Sequence, residues 1–449
     1  NGQSLNNYAV TRTTGVAFVS IMTSGTPCSS WRYSGGFQQD DNRSYPIDIG
    51  FDFWYDGVRY TQLSVSTNGY IDFSASANNG GPTTAPYGYA NNQFSLPNGT
   101  LNAIAPIYDD QTTQGGADPL GNSIRSLLTG VAPARVLTIE WNDMAVYLNT
   151  TPSLTYQVKL YESTGIIEFR YGTMTAGTAN FSYSCGLNGP VMNAAPTAAQ
   201  LKTQLSANSS TFSNTPQNGI TVLPTSNSQI SFVSPTPVAP TALSFSAVQA
   251  AQMTLNWIDN ATNEVGYVIY SSTDNINFEF ELQTAANATS AIVTGLYSST
   301  LYYWRVYAVT EGRLSSPLLG TQTTLTGNSY RSFQTGSWGT NTTWEIWNGT
   351  AWVASGSIPT AADNVTITST HIVTINVNAN CHNLIVGQGG ACVLQIGNNN
   401  TARTVNVTGN LSVTANATFN VNAASNITHT FNATGNIANN GTFNMQTDA

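Results

Sequence analysis

The sequence predicts an all-β chain: a jelly-roll-like antiparallel β-sandwich, then a second β-sandwich, then a β-solenoid of β-helix type. Three observations carry this. Short runs of alternating apolar and polar residues, broken by Gly, Asn, Pro and Asp, fill the first half. A proline-rich connector, "SPTPVAP" at 234–240, separates that half from the rest of the chain. Near the end the text echoes itself, Thr-Gly-Asn recurring after 26 residues and Ala/Gly-Thr-Phe-Asn after 24.

Residues 1–233 form the first predicted unit. "YTQLSVSTNGYIDF" (60–73) shows its grammar. Leu63 and Val65 point to one face of an extended segment, and Gln62, Ser64 and Ser66 to the other. Asn68-Gly69 supplies the positive φ angles of a tight turn, so Tyr70–Phe73 begins a return strand. "IDIGFDFWYDG", "ARVLTIEWNDM", "LTYQVKLYES" and "GIIEFRYG" repeat the pattern. The long interruptions 74–100 and 109–123 read as surface loops, where binding usually resides. Ala and Leu around "PTAAQLKTQL" (196–205) predict a short helix.

Composition narrows the function classes. The chain has 449 residues, of which only 8% are charged, with a net charge of −9 and a pI near 4.6. Thirteen Lys and Arg spread over this length exclude the clustered cations that nucleic acid requires. No apolar run approaches the roughly 20 residues of a transmembrane segment. "NGQSLNNYAV" lacks the charged and apolar regions of a signal peptide and reads as the start of a mature or trimmed chain.

Four cysteines fall as two local pairs, Cys28 with Cys185 and Cys381 with Cys392. Of three possible connectivities, this one keeps each bridge within one predicted unit and implies an oxidising, exported setting; buried free thiols are the alternative.

Chemistry is sparse. Asp109 and Asp110 in "IAPIYDDQ" are candidate calcium ligands, with Asp40-Asp41 a weaker pair. Neighbours on a strand face opposite ways, so a bend is needed to bring both to one ion; the competing reading is a turn aspartate bonded to nearby backbone. Glu140, Glu162 and Glu168 are the carboxylates a glycosidase would draw on, yet no motif around them defines a cleft, and Glu162 and Glu168 read as solvent-facing. His371, His382 and His429 occupy no metalloprotease or nucleophile-elbow context. Cys381-His382 near Cys392 lacks a fourth ligand at zinc spacing. Asn-x-Ser/Thr triplets at Asn98, Asn149, Asn287, Asn348 and Asn432 are expected by chance in so Asn- and Thr-rich a chain. Trp338, Trp344, Trp347 and Trp352 read as a small core closing a solenoid end, with sugar or partner stacking as the alternative.

Residues 241–326 resemble a fibronectin type III domain. Trp257 stands at that fold's core tryptophan, with Tyr267 and Ile269 on the next strand. Leu296, Thr300, Tyr302, Arg305, Val306 and Ala308 match its Leu-x-x-x-Thr-x-Tyr-x-x-Arg-Val-x-Ala pattern, which implies that Tyr302 is the corner tyrosine. Ser298 replaces a common proline, and no Arg-Gly-Asp is present to imply a receptor.

Residues 327–449 are the predicted solenoid, Val, Leu, Ile and Phe turned inward on each rung. It is expected to be truncated, because no polar cap follows the second echo.

"YAVTRTTGVAF", residues 47–73, "IAPIYDDQ", "RVLTIEW" and "YQVKLYESTGIIEFRYG" resemble the N-terminal sandwich of large exported proteins of the Bacteroidota. Trp338, Trp344, Pro359, Asp363, Asn364 and Ile367 resemble the module that begins solenoids in those proteins. The resemblance implies export by the type IX route, an extracellular or cell-surface location, and roles in adhesion or gliding. It carries no catalytic set.

The expected function is therefore a non-catalytic modular adhesin or surface fibre, its first sandwich displayed on a β-rich stalk. Its ligand would be a surface polysaccharide or a protein, or other copies of itself. The alternatives are a carbohydrate-binding or carbohydrate-degrading protein whose catalytic part lies outside this chain, and a self-assembling filament.

Overall fold

Alternation and turn chemistry yield β structure throughout, as seen in a computed structural model. It describes residues 4–29, 31–32, 41–73, 94–96, 101–113, 123–146, 149–175, 181–250, 252–294, 296–297, 299–348, 350–368, 370–388, 390–396, 401–421 and 427–445. Asp40 and most of the two long loops expected at 74–100 and 109–123 lie outside them.

Two antiparallel sheets make the first sandwich. One runs in the order Ala9–Thr14, Ser228–Val233, Ile167–Thr175, Asn149–Tyr161, Val136–Val146, Ile124–Thr129, Thr26–Pro27, with Gln111–Thr113 added on Val136–Val146. The other runs Phe212–Ser213, Leu201–Gln204, Ser184–Asn188, Ala103–Tyr108, Tyr70–Asp72, Val58–Ser66, Ile47–Tyr55. Their facing side chains form one apolar core around Phe53, Ile71, Trp141, Tyr156 and Phe169. Buried polar tips are tied across it: Trp141 Nε1 donates to the Ser66 carbonyl at 2.7 Å, and Tyr171 Oη to the Pro106 carbonyl at 3.1 Å.

The expected helix at 196–205 is a strand. Leu201–Gln204 buries all four residues between two neighbouring strands, and tertiary pairing overrides the helical propensity of Ala and Leu. The expected polar face of 62–66 is also partly wrong, since Ser64 and Ser66 are fully buried. Residues 42–44 cover them: Ser66 Oγ donates to the Asn42 carbonyl, and the Ser44 N–H to that of Val65.

Residues 241–323 form a three-stranded sheet, Thr241–Ser246, Gln252–Ile258, Ser290–Thr294, facing a four-stranded one, Glu279–Gln283, Gly266–Ser272, Leu301–Val309, Leu318–Thr323. Trp257 packs at 5.2 Å from Tyr267 in the core. Tyr302 Oη accepts from the Tyr297 N–H at 2.9 Å, closing a corner onto backbone five residues upstream.

Beyond Ser329 the pairing turns parallel, apart from the hairpin Trp344–Ala354, which pairs antiparallel within itself and with Ser329–Ser332. The chain visits three sheets in rotation, for example Leu384–Gln388, Val393–Ile396, Thr404–Val407, and then Leu411–Val413 back in the first. Like residues therefore stack: Leu384 on Leu411 on Ile437, and Phe419 on Phe443 at 5.0 Å. Asparagines bond the layers: Asn406 Nδ2 donates to Asn380 Oδ1 and Asn432 Nδ2 to Asn406 Oδ1, each at 2.8 Å and 26 residues apart. Asn444 and Asn420 repeat this at 2.7 Å over 24 residues. The echo in the text is thus the repeat of a hydrogen-bonded ladder.

Candidate binding surfaces

Asn68-Gly69 organises one end of the first sandwich. Gly69 has φ +74°, and a Cβ there would lie 1.9 Å from the Ile107 carbonyl oxygen and 2.6 Å from Tyr156 Oη, so glycine is obligatory. Asn68 is fully buried; its Nδ2 donates to Asp41 Oδ1 at 3.0 Å and its Oδ1 accepts the Gln111 N–H at 2.9 Å. Tyr156 Oη in turn donates to Gln111 Oε1 at 2.7 Å.

Asp109 and Asp110 follow the strand Ala103–Tyr108 at a bend and flank this turn. Asp109 is 8% exposed, and burial, opposed by a backbone hydrogen bond and aided by the Asp110 charge, pushes its carboxyl up to about 7. Burial raises Asp41 as well. The bend that calcium would need is present, but the remaining ligands are not evident: among the described residues no group of three or more His, Cys, Asp or Glu side chains is placed to hold a metal. Two carboxylates supply only part of the roughly six to eight oxygens calcium takes. The sequence marks Asp41 only as part of the weaker Asp40-Asp41 pair and Asn68 only as a turn residue, and it gives no signal for Gln111.

The other carboxylates are tied rather than poised. Glu140 is fully buried, accepting from Ser20 Oγ at 2.6 Å, the Ile21 N–H at 2.7 Å and Gln157 Nε2 at 2.6 Å. It pins the segment 20–21 across the sheet. Glu168, expected in solvent, is 6% exposed and paired with Arg170; Glu162 is half-buried in a bidentate pair with Arg135. Neighbouring strands and cations cover positions that alternation alone assigns to water.

Neither expected disulfide is formed: Cys28, Cys185, Cys381 and Cys392 are buried free thiols. Cys185 lies 3.7 Å from Tyr171 Oη, and Cys392 Sγ 3.6 Å from the Ile367 carbonyl oxygen. Burial pushes the thiols of Cys28 and Cys185 up to about 12 and that of Cys392 to about 11. They fill apolar cores as small hydrophobes, so the cysteines give no support to an oxidising compartment.

The tryptophan cluster divides. Trp338 and Trp344 are buried against each other at 5.1 Å, closing the core of the parallel sheets. Trp347 is 43% exposed and faces Trp352 across the hairpin Trp344–Ala354 at 5.6 Å, with the Arg331 guanidinium 4.6 Å over Trp352. This pair is a surface feature.

The first sandwich is clasped to the next. Tyr270 Oη donates to Asp52 Oδ2 at 2.6 Å, Asp52 pairs with Arg59, and Arg59 lies 4.4 Å over Phe280, which also meets Trp54. The Gly57 N–H donates to the Glu311 carbonyl at 2.9 Å, while Glu311 Oε1 accepts from Ser4 N–H at 3.2 Å and from Asn7 Nδ2. At the other end of the strand Leu301–Val309, Tyr297 meets His382 of the parallel sheets at 6.5 Å.

Two family models match parts of the chain. A family model described as NIDO related matches residues 7–235, just over half of the chain, and the fibronectin type III model matches 238–321. Among solved structures, a fibronectin type III domain of human collagen XX is 22% identical, covering 19% of this chain and 91% of its own, with a TM-score of 0.17. A structure titled FN3tt is 23% identical over 21% of this chain and 99% of its own, with a TM-score of 0.19. No curated protein matches. No helix among the described residues is long and apolar enough to cross a membrane. An NIDO-related sandwich followed by a fibronectin type III domain fits a modular, non-catalytic extracellular protein, and the chain belongs to the NIDO-related family.

Proposed function

We propose that the chain is a surface adhesin in which the first sandwich, residues 1–233, is held out by the fibronectin type III domain and by a β-solenoid formed by residues 327–449. The observation that carries this reading is the position of the contacts on the strand Leu301–Val309. The first sandwich grips the end next to Thr310–Gly312, and the parallel sheets meet the Tyr297 end. That strand spans roughly 30 Å at about 3.3 Å per residue, so the middle domain acts as a spacer. The resemblance to exported Bacteroidota proteins supports type IX export and display at the cell surface.

Beads coated with the chain test this in a flow chamber. Adhesion to cells or extracted surface polymer should be blocked by antibody fragments against residues 41–73 and 101–113. Fragments against 404–420 should leave it intact. Absent adhesion, or blocking only by the second set, would overturn the reading.

The Trp347–Trp352 pair favours a second reading, attachment to polysaccharide through the hairpin. Aromatic faces stack on sugar rings, and Trp347 is exposed with the half-buried Trp352 beside Arg331 and Glu345. Retention on insoluble polysaccharide that disappears in Trp347→Ala would support it.

A further inference from the structure

Three segments distant in sequence bring three unpartnered oxygens to one buried spot at the junction of the two sandwiches. Asp56 occupies the turn after the strand Ile47–Tyr55, with φ +48°, and is 7% exposed. Glu311 lies in the loop after Leu301–Val309 and is fully buried; Tyr8, preceding Ala9–Thr14, is 1% exposed. Asp56 Oδ1, Glu311 Oε2 and Tyr8 Oη complete no hydrogen bond among the described residues, although the Asp56 N–H faces the phenol oxygen. Each of the three groups is electrostatically coupled to the other two.

The backbone has been shaped around them. A Cβ at Gly312 would come within 2.4 Å of Tyr8 Oη, and one at Gly189 within 3.3 Å of Asp56 Oδ2. The partners that are present engage only the other carboxylate oxygen of Glu311. The Lys202 ammonium donates to the Asn6 carbonyl at 3.2 Å and pairs with neither carboxylate. Burying two like charges without a countercharge costs several kcal/mol, so something neutralises them.

We infer that Asp56, Glu311 and Tyr8 form a cation site that closes the junction, with calcium as the ion their all-oxygen chemistry selects. Two carboxylates match a divalent charge, a phenol oxygen is a neutral donor, and none of the three offers the nitrogen or sulfur that zinc or copper prefers; they too are only part of a calcium shell, whose remaining oxygens would come from backbone carbonyls and water. A proton is the competing neutraliser. Burial, aided by the Glu311 charge, raises the Asp56 carboxyl to about 6. This site is separate from the Asp109–Asp110 bend.

The test uses the whole chain, freed of metal by chelation, at pH 7.5. Calcium is titrated by calorimetry, and terbium by luminescence excited through aromatic side chains. The expected result is one site of about 10⁻⁴–10⁻³ M, the range of extracellular modules, lost in Asp56→Asn and in Glu311→Gln and kept in Asp110→Asn. Hydrogen exchange on the unmutated chain guards against misfolded variants: calcium should protect amides 4–8 and 310–312. No binding, unchanged protection there, loss confined to Asp110→Asn, or stabilisation appearing only below about pH 6 without metal would each overturn the inference.

Discussion

Replacing Glu140 by alanine should release the segment 20–21 from the first sandwich. The carboxylate is fully buried and accepts three hydrogen bonds, from Ser20 Oγ, the Ile21 N–H and Gln157 Nε2. Hydrogen bonds to a charged group are each worth about 1.5–3 kcal/mol net. The Gln157 amide also donates to the Val19 carbonyl at 2.8 Å and keeps that partner. The Ile21 N–H keeps none, and a buried donor left alone costs about 1–3 kcal/mol. Relief from holding a buried charge offsets part of the sum, which leaves a loss of about 3–4 kcal/mol. For a unit of some 150–250 residues each kcal/mol moves Tm by about 2–4 °C, so the transition of the first sandwich should fall by roughly 6–15 °C. Calorimetry of the whole chain reads this, provided the transitions are separated rather than fitted as one. Amide exchange at Ile21 should accelerate by at least tenfold. A shift under about 1 °C with unchanged exchange at Ile21 would refute the anchoring role and reopen Glu140 as a carboxylate held for chemistry.

Gly69→Ala forces a Cβ to 1.9 Å from a backbone oxygen in a positive-φ turn, and should cost more than about 3 kcal/mol or abolish folding of the first sandwich, read by urea denaturation. Asp109 has a folded pKa of about 7 against about 3.9 unfolded, so its contribution is fully present below pH 4 and is lost as pH rises to about 7. Asp109→Asn should flatten the fall in stability between pH 4 and 7, a change on the order of a few kcal/mol by urea midpoints, and an unchanged slope would remove Asp109 as its source. Asn406→Ala interrupts the ladder between Asn380 and Asn432 and should cost about 1–2 kcal/mol, visible as faster amide exchange in Thr430–Ala433.

Legibility in the sequence followed the range of the interactions involved. The turn at Asn68-Gly69, the core Trp257 and the recurrence near 25 residues are local or periodic signals, and the structure places a turn, a packed core and a parallel register at those positions. Leu201–Gln204 is a strand because Ser184–Asn188 and Phe212–Ser213 claim its backbone on both sides, which propensity alone cannot anticipate. Glu168 lies at an outward position of its strand, but Arg170 and Tyr161 close over it. The cysteines illustrate the converse: spacing offered bridges, while the interior required only small apolar volume. In the candidate surfaces, Asp109 and Asp110 stand out as text, yet the Asn68 side chain that connects Gln111 to Asp41 does not. Trp347 and Trp352 separate from Trp338 and Trp344 only once the hairpin is known to stand at a sheet edge.

In a chain with only 8% charged residues, the placement of each charge carries information. Among the described residues Arg43, Arg59, Arg135, Arg170 and Arg331 each meet a carboxylate, and Asp52–Arg59 spans the joint with Tyr270 and Phe280. Asp56 and Glu311 stand in no ion pair among the described residues, at the same joint and a short distance along the hairpin from Asp52. One side of the interface is therefore closed by charges already matched, and the other holds two carboxyl groups that no described cation meets. A cation there would make the angle between the two sandwiches depend on its concentration without unfolding either, since their cores are separate. Calcium would then set how stiffly the first sandwich is held against the fibronectin type III domain.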